Sequence, residues 1–244
     1  FDENTAQNGG ALYWSGSELT VKNSNFENVN ASLYGGAIYL KGSNTAVNFN
    51  LSYNNFTNCH SKYYGGAIYG EYAYGVIISN SNFTSNVAEQ SYGGALYWLN
   101  PNELTISDVS FEKNIATAGG AIDINDGSNV VLINCDFENN NATSERGGAV
   151  VLWTTKKTEI KDSNFTNNHA TSSGGAFQGG YATNCIFNSN SAQNLGGAAR
   201  ARGVHSCHHR AAKAACNDPV PRPAVRFWTH SLQLDGGAHA PCAG

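Results

Sequence analysis

The chain has 244 residues, 41% of them hydrophobic and 13% charged, so it can bury a core and is not a disordered polymer. The net charge of −4 averages two unlike parts: residues 1 to 198 hold 8 Lys or Arg against 16 Asp or Glu, whereas 199 to 244 hold 6 against 2. A body at −8 repels phosphate backbones, which argues against nucleic acid as a partner, and nowhere is there an apolar run long enough to cross a bilayer as a helix.

The chain opens at Phe1, inside a repeat, and is expected to be a piece of a longer protein whose export signal and anchor lie elsewhere. Phe1 heads a series continued by Phe26, Phe56, Phe83, Phe111, Phe137, Phe165 and Phe187. Three residues after six of these stands an asparagine, namely Asn4, Asn86, Asn114, Asn140, Asn168 and Asn190, with Val29 and Cys59 as the exceptions. About nine residues after each phenylalanine comes Gly-Gly-Ala, starting at positions 9, 35, 65, 93, 119, 147, 174 and 196. The spacings between these pairs run 26, 30, 28, 26, 28, 27 and 22 residues. Each Gly-Gly marks a sharp corner, because glycine supplies positive φ or close backbone approach. Beyond each corner two aliphatic columns share a parity, as in Ile38 with Leu40 or Ile122 with Ile124, and are expected to face inward.

A further element precedes each phenylalanine. In "ELTVKNSNF" and "ELTISDVSF" aliphatic and polar residues alternate, the period-2 pattern of a half-buried strand. It ends in an amide or carboxylate three positions before the phenylalanine: Asn23, Asn80, Asp108, Asn134, Asp162 and Asn184, with Tyr53 breaking the series. Stacked copies of such a side chain predict a ladder. Three short elements per repeat of about 27 residues, with few helix-favouring residues, argue for an all-β parallel β-helix of about eight coils, roughly 40 Å long, with the phenylalanines stacked inside.

The two linked motifs, seen in "FTSNVAEQSYGGALYW" and "FEKNIATAGGAID", resemble the repeats of chlamydial polymorphic outer-membrane proteins and, more closely, those of asparagine-rich adhesin-like surface proteins of methanogenic archaea. The resemblance covers residues 1 to 198. It implies a right-handed parallel β-helix, exposed on a cell surface, with an adhesive role.

From Ala199 the composition changes. Residues 199–244 hold four of the five prolines and five of the seven histidines, and read as a compositionally unrelated tail, translated out of frame or across a junction; a basic linker is the alternative. Its Cys207, His208, His209 and Cys216 match no standard zinc spacing, and no metal or other cofactor is expected.

Chemistry is sparse. The body has one arginine, Arg146, and two histidines, His60 and His169, and lacks the paired aspartates of β-helical hydrolases. "AIDINDGSN", with Asp123 and Asp126, departs from a calcium loop in its glycine position and missing glutamate, and reads as an Asp-Gly turn. Glu145 and Arg146 read as a solvated surface pair. Cys135 and Cys185 share a column two coils apart, beyond disulfide reach, so these and Cys59 are expected as packed free thiols. No catalytic residue is assigned.

Binding is read from one column: Tyr13, Tyr39, Tyr69 and Tyr97, followed by Asp123, Val151 and Gln178. Strand alternation sends it outward with the alanines, as a flat aromatic face for sugar rings or another protein; equally, cross-strand tyrosines stabilise a sheet with nothing bound. Among six Asn-x-Ser/Thr sequons, Asn30 and Asn141 are the better glycosylation candidates, because Asn55, Asn82 and Asn164 precede stacked phenylalanines. The resulting expectation is a non-enzymatic, extracellular, adhesin-like rod whose partners are host or neighbour-cell glycans or surface proteins, and whose open ends self-associate. The alternatives are a carbohydrate-active β-helix enzyme with its site outside this stretch, and a pure spacer.

Overall fold

A computed structural model describes residues 1–42, 46–153 and 156–210. None of these is helical. The chain winds as a parallel β-solenoid with four strands per coil, one more than the sequence shows. The coil from Val87 illustrates the order: Val87–Ala88, then Leu96–Leu99 after the glycine corner, then Asn102–Ser107, then Ser110–Glu112. Equivalent strands stack into four parallel sheets of eight strands each. We name them the short, glycine-corner, aliphatic and phenylalanine sheets. The fourth element escapes a periodicity reading because most of its strands are two residues long, too short to alternate.

Register is set by the repeat. Phe26, Phe56, Phe83, Phe111, Phe137, Phe165 and Phe187 pair in sequence across the phenylalanine sheet. Their rings stack inside the coil at 4.6 to 5.1 Å between centroids. The Ile38 to Phe177 and Leu19 to Ile160 columns complete one continuous core with them. Burying each phenylalanine contributes about 1.5–3 kcal/mol, and each stacked pair about 0.5–1.5 kcal/mol more.

The Gly65-Gly66 corner shows why both glycines are needed. Gly65 has φ of +65°, and a Cβ on Gly66 would collide with the carbonyl oxygen of Gly94 in the next coil. Just past the corner, Ala67 and Ile68 both donate their N–H to one carbonyl, that of Ala95, at 3.0 and 2.9 Å. Two donors on one acceptor make a bulge, which breaks the alternation. The alanines therefore turn inward: Ala37, Ala67, Ala95 and Ala121 are buried in the core, not outward beside the tyrosines as alternation suggested.

Two further expectations are corrected. The continuous ladder lies at the asparagine after the phenylalanine, where Asn86, Asn114, Asn140 and Asn168 are fully buried and bonded in series. The column before the phenylalanine forms only exposed side-chain rungs, Asn134 to Asp108 and Asn184 to Asp162, because those residues occupy left-handed corner conformations. The repeat also runs past residue 198. Ala199–Arg200, Gly203–His205 and His208–Arg210 add to three of the sheets, and His209 continues the register of Phe187. The remainder of the proposed tail, 211–244 with Cys216, lies outside the described residues.

Candidate functional site

The tyrosine column exists, but most of it is roofed. Tyr13, Tyr39, Tyr69 and Tyr97 pair in register, with ring centroids 4.9, 4.8 and 5.5 Å apart. They point away from the phenylalanine core, as expected. Only Tyr13 is open, at 50% exposure; Tyr39, Tyr69 and Tyr97 are at 8%, 7% and 6%. A second layer covers them. Tyr34 lies 5.2 Å from Tyr69, and Tyr64 lies 4.5 Å from Tyr97, with Tyr92 beside Tyr64 at 5.8 Å. Tyr39, Tyr69 and Tyr97 are therefore not the contact face that sequence assigned; they are its foundation, because the loop entering each glycine corner folds back over the strand leaving it.

The signal for this roof is present in sequence. The residue just before Gly-Gly is Tyr34, Tyr64 and Tyr92 where the strand carries Tyr39, Tyr69 and Tyr97, Asn8 in the first coil where Tyr13 is left open, and Ala118, Arg146 and Ser173 where the strand carries Asp123, Val151 and Gln178. Ser173 Oγ donates to Gln178 Oε1 at 3.0 Å, so the two positions still touch when neither is aromatic. The accessible patch is thus Tyr13 together with the half-buried outer rings Tyr34, Tyr63, Tyr64 and Tyr92.

Acids tie down its edges. The Tyr39 and Tyr69 hydroxyls donate to the two oxygens of Glu71 at 2.8 and 3.3 Å, and Lys41 lies 3.7 Å from the same carboxylate. Burial, and secondarily Glu71, pushes both phenols above their ordinary range, so they are neutral donors. At the upper end Tyr92 donates to Glu145 at 3.3 Å, and Arg146 bonds Glu145 at 2.9 Å while its guanidinium lies 3.9 Å over the Trp153 ring. This pair is half-buried, not the solvated surface pair read from sequence. Below it Asp123 is fully buried, and neither carboxylate oxygen has a hydrogen-bond partner. Burial raises its pKa well above the usual carboxylate range; Arg146 opposes the shift and Glu145 adds to it.

A second concavity lies at the other end of the same strands. Tyr72, Ala73, Tyr74, Asn100, Asn102 and Ser128 line a cleft of about 170 Å³ between the glycine-corner and aliphatic sheets. No sequence signal pointed to it.

Asn30 is exposed, its amide donating to the Asn28 carbonyl. Asn141 is a poor glycan acceptor: it is half-buried, with Oδ1 sealed from solvent and unpartnered. Cys59, Cys135 and Cys185 are buried free thiols, and burial pushes the first two up to about 12. Cys207, placed by sequence in the tail, joins the buried column of Cys135 and Cys185, accepting the Cys185 N–H at 3.2 Å. Among the described residues no three His, Cys, Asp or Glu side chains gather as a metal site.

Four in-register parallel sheets wound around an aromatic core define a β-solenoid repeat protein of structural or binding type. The chain belongs to the right-handed β-helix family, whose model, described as a right-handed β-helix region, matches residues 66–213. Neither the curated proteins nor the solved structures compared with the chain gave a match.

Proposed function

We propose that this β-helix is a non-enzymatic, adhesin-like surface protein that grips its partner through the outer tyrosine layer. One observation carries the reading: the tyrosines at these two positions are confined to the first four coils, although the fold does not need them. Later coils fill the same two positions with Ala118 and Asp123, Arg146 and Val151, or Ser173 and Gln178, and keep the same register. Outer rings held by packing on the tyrosines beneath them, with Tyr92 also bonded to Glu145, lose little freedom on contact, which favours them as anchors for a glycan or a protein surface. The nearby acids are poorly suited to catalysis, since Glu71 is engaged by two tyrosines and Asp123 is sealed from solvent. The resemblance to archaeal adhesin-like and chlamydial surface repeats supports an extracellular location.

Replacing Tyr34, Tyr64 and Tyr92 together by serine is expected to reduce adhesion to cell surfaces at least tenfold while circular dichroism retains the β-solenoid spectrum. Unchanged adhesion by a folded variant would sink the proposal. Incubation with acidic polysaccharides and calcium is expected to release no unsaturated or reducing ends; turnover would favour the enzyme reading.

A further inference from the structure

We infer that the cleft lined by Tyr72, Tyr74, Asn100, Asn102 and Ser128 is a subsite for one neutral pyranose unit of a glycan. The inference deepens the adhesive reading and rests on it.

The first ground is backbone strain. Tyr72 has φ of +51°, in the left-handed region. Its column is Gly42, Tyr72, Asn100 and Asp126, stacked by backbone bonds from each N–H to the strand end of the next coil. Asn100 at +52° and Asp126 at +55° share this conformation, which asparagine and aspartate tolerate and a tyrosine does not favour, whereas Gly42 does not adopt it. A bulky side chain kept at a strained corner when smaller ones serve in adjoining coils points to use of that side chain.

The second ground is what the strained corner assembles. Tyr74, Asn102 and Ser128 form the adjoining column, in register across three coils. The two columns place two tyrosines at one end of the cleft, two amides in the middle and a hydroxyl at the far end, with Ala73 among the lining residues. Asn102 Oδ1 accepts from Ser128 Oγ at 2.8 Å and from Asn129 Nδ2 at 3.2 Å, which orients the amide and turns its Nδ2 donors away from them. Tyr74 donates to Glu103 Oε1 at 3.0 Å, which fixes the ring. Ring faces suit the C–H face of a sugar, and amides suit its hydroxyls.

The third ground is selection by size and charge. A volume of about 170 Å³ holds roughly six waters' worth of liquid, enough for a single sugar ring and too small for a protein side. Among the described residues no lysine or arginine lines it; Lys156 stands one coil beyond Ser128, so the lining itself offers no cation to pair with a phosphate, a sulfate or a uronate. The ligand class that remains is a neutral hexose or N-acetylhexosamine residue.

The test uses the full chain on an array of oligosaccharides ending in glucose, galactose, mannose or N-acetylglucosamine, with sialylated and sulfated probes alongside. The native chain is expected to give saturable signal on at least one neutral probe. Tyr72→Gly, which installs the residue found at position 42, is expected to weaken that signal at least tenfold and to raise Tm by a few degrees; Tyr181→Ser, at an exposed tyrosine remote from the cleft, should change neither. Binding only to acidic probes, binding to none, or a Tyr72→Gly variant that binds like the native chain would each overturn the assignment. If no neutral probe binds while the outer-layer variant still loses adhesion, only the cleft reading falls. If Tyr72→Gly loses the sugar while the outer-layer variant adheres normally, only the tyrosine-layer reading falls.

Discussion

Asp123 stands where the four preceding coils carry tyrosine, sealed from water with both oxygens unpartnered. An ionised carboxylate in such a place opposes folding, and the burial-raised pKa is the same fact expressed as proton affinity. The unfolded chain holds this proton only near pH 4 and below, whereas the folded chain holds it to higher pH. This group therefore makes the fold more stable as pH falls from its raised folded pKa towards the unfolded value near 4. Asp123→Asn is expected to stabilise the protein by about 1–3 kcal/mol at neutral pH, with the advantage shrinking in acid. Urea titrations of both proteins at neutral and acidic pH would check this; an advantage that is constant or grows in acid contradicts it. At this scale the sequence was half legible. Alternation told which side of the strand Tyr39, Tyr69 and Tyr97 occupy, but it says nothing about what lies over that side. The roof of Tyr34, Tyr64 and Tyr92 comes from a loop, whose path no period encodes.

Among elements, the buried asparagine ladder has the largest structural consequence. Asn140 donates its backbone N–H and its Nδ2 to Asn168 Oδ1, donates Nδ2 to the Phe111 carbonyl at 2.9 Å, and accepts both corresponding bonds from Asn114. Asn140→Ala removes the four bonds made by its side chain and deprives the buried Asn114 N–H and Phe111 carbonyl of these partners, while the backbone N–H of residue 140 still reaches Asn168 Oδ1, so a loss of about 3–5 kcal/mol is expected. Asn190→Ala, at the partly buried last rung, should cost less than half as much. Chemical denaturation of the two variants decides it, and equal losses would mean that the ladder does not act as a buried network. Both amide columns were visible in sequence, yet spacing could not tell the inward one from the outward one. That choice depends on corner geometry: Asn134 at φ +51° turns its side chain to solvent, while Asn140 lies inside the turn. The phenylalanine stack, by contrast, was fully legible, because a large apolar residue at a constant offset has only one place to go.

As a whole, the molecule is close to one-dimensional, since each strand pairs only with strands of the adjoining coils. Removing one repeat should therefore shorten the rod by about 4.8 Å without unfolding it. A deletion of residues 93–118, which joins Tyr92 to the next Gly-Gly pair, is expected to keep the β spectrum and a cooperative melt; a molten product would show that the coils are not interchangeable. Hydrogen exchange should be slowest in coils spanning residues 87–165 and faster toward both ends, because terminal strands lack one neighbour. The boundary drawn from composition at 198 fell one coil early for the same reason: backbone pairing propagates even where His209 replaces phenylalanine.

The ladder also has a sense of direction. Every Nδ2 to Oδ1 bond from Asn86 to Asn190 runs the same way along the axis. The amide dipoles consequently add instead of cancelling, much as peptide dipoles do in a helix. The rod is thus a vector: one face of the stack offers donors where the other offers acceptors, so any coil or molecule added in continuation of the ladder must join head to tail, never head to head.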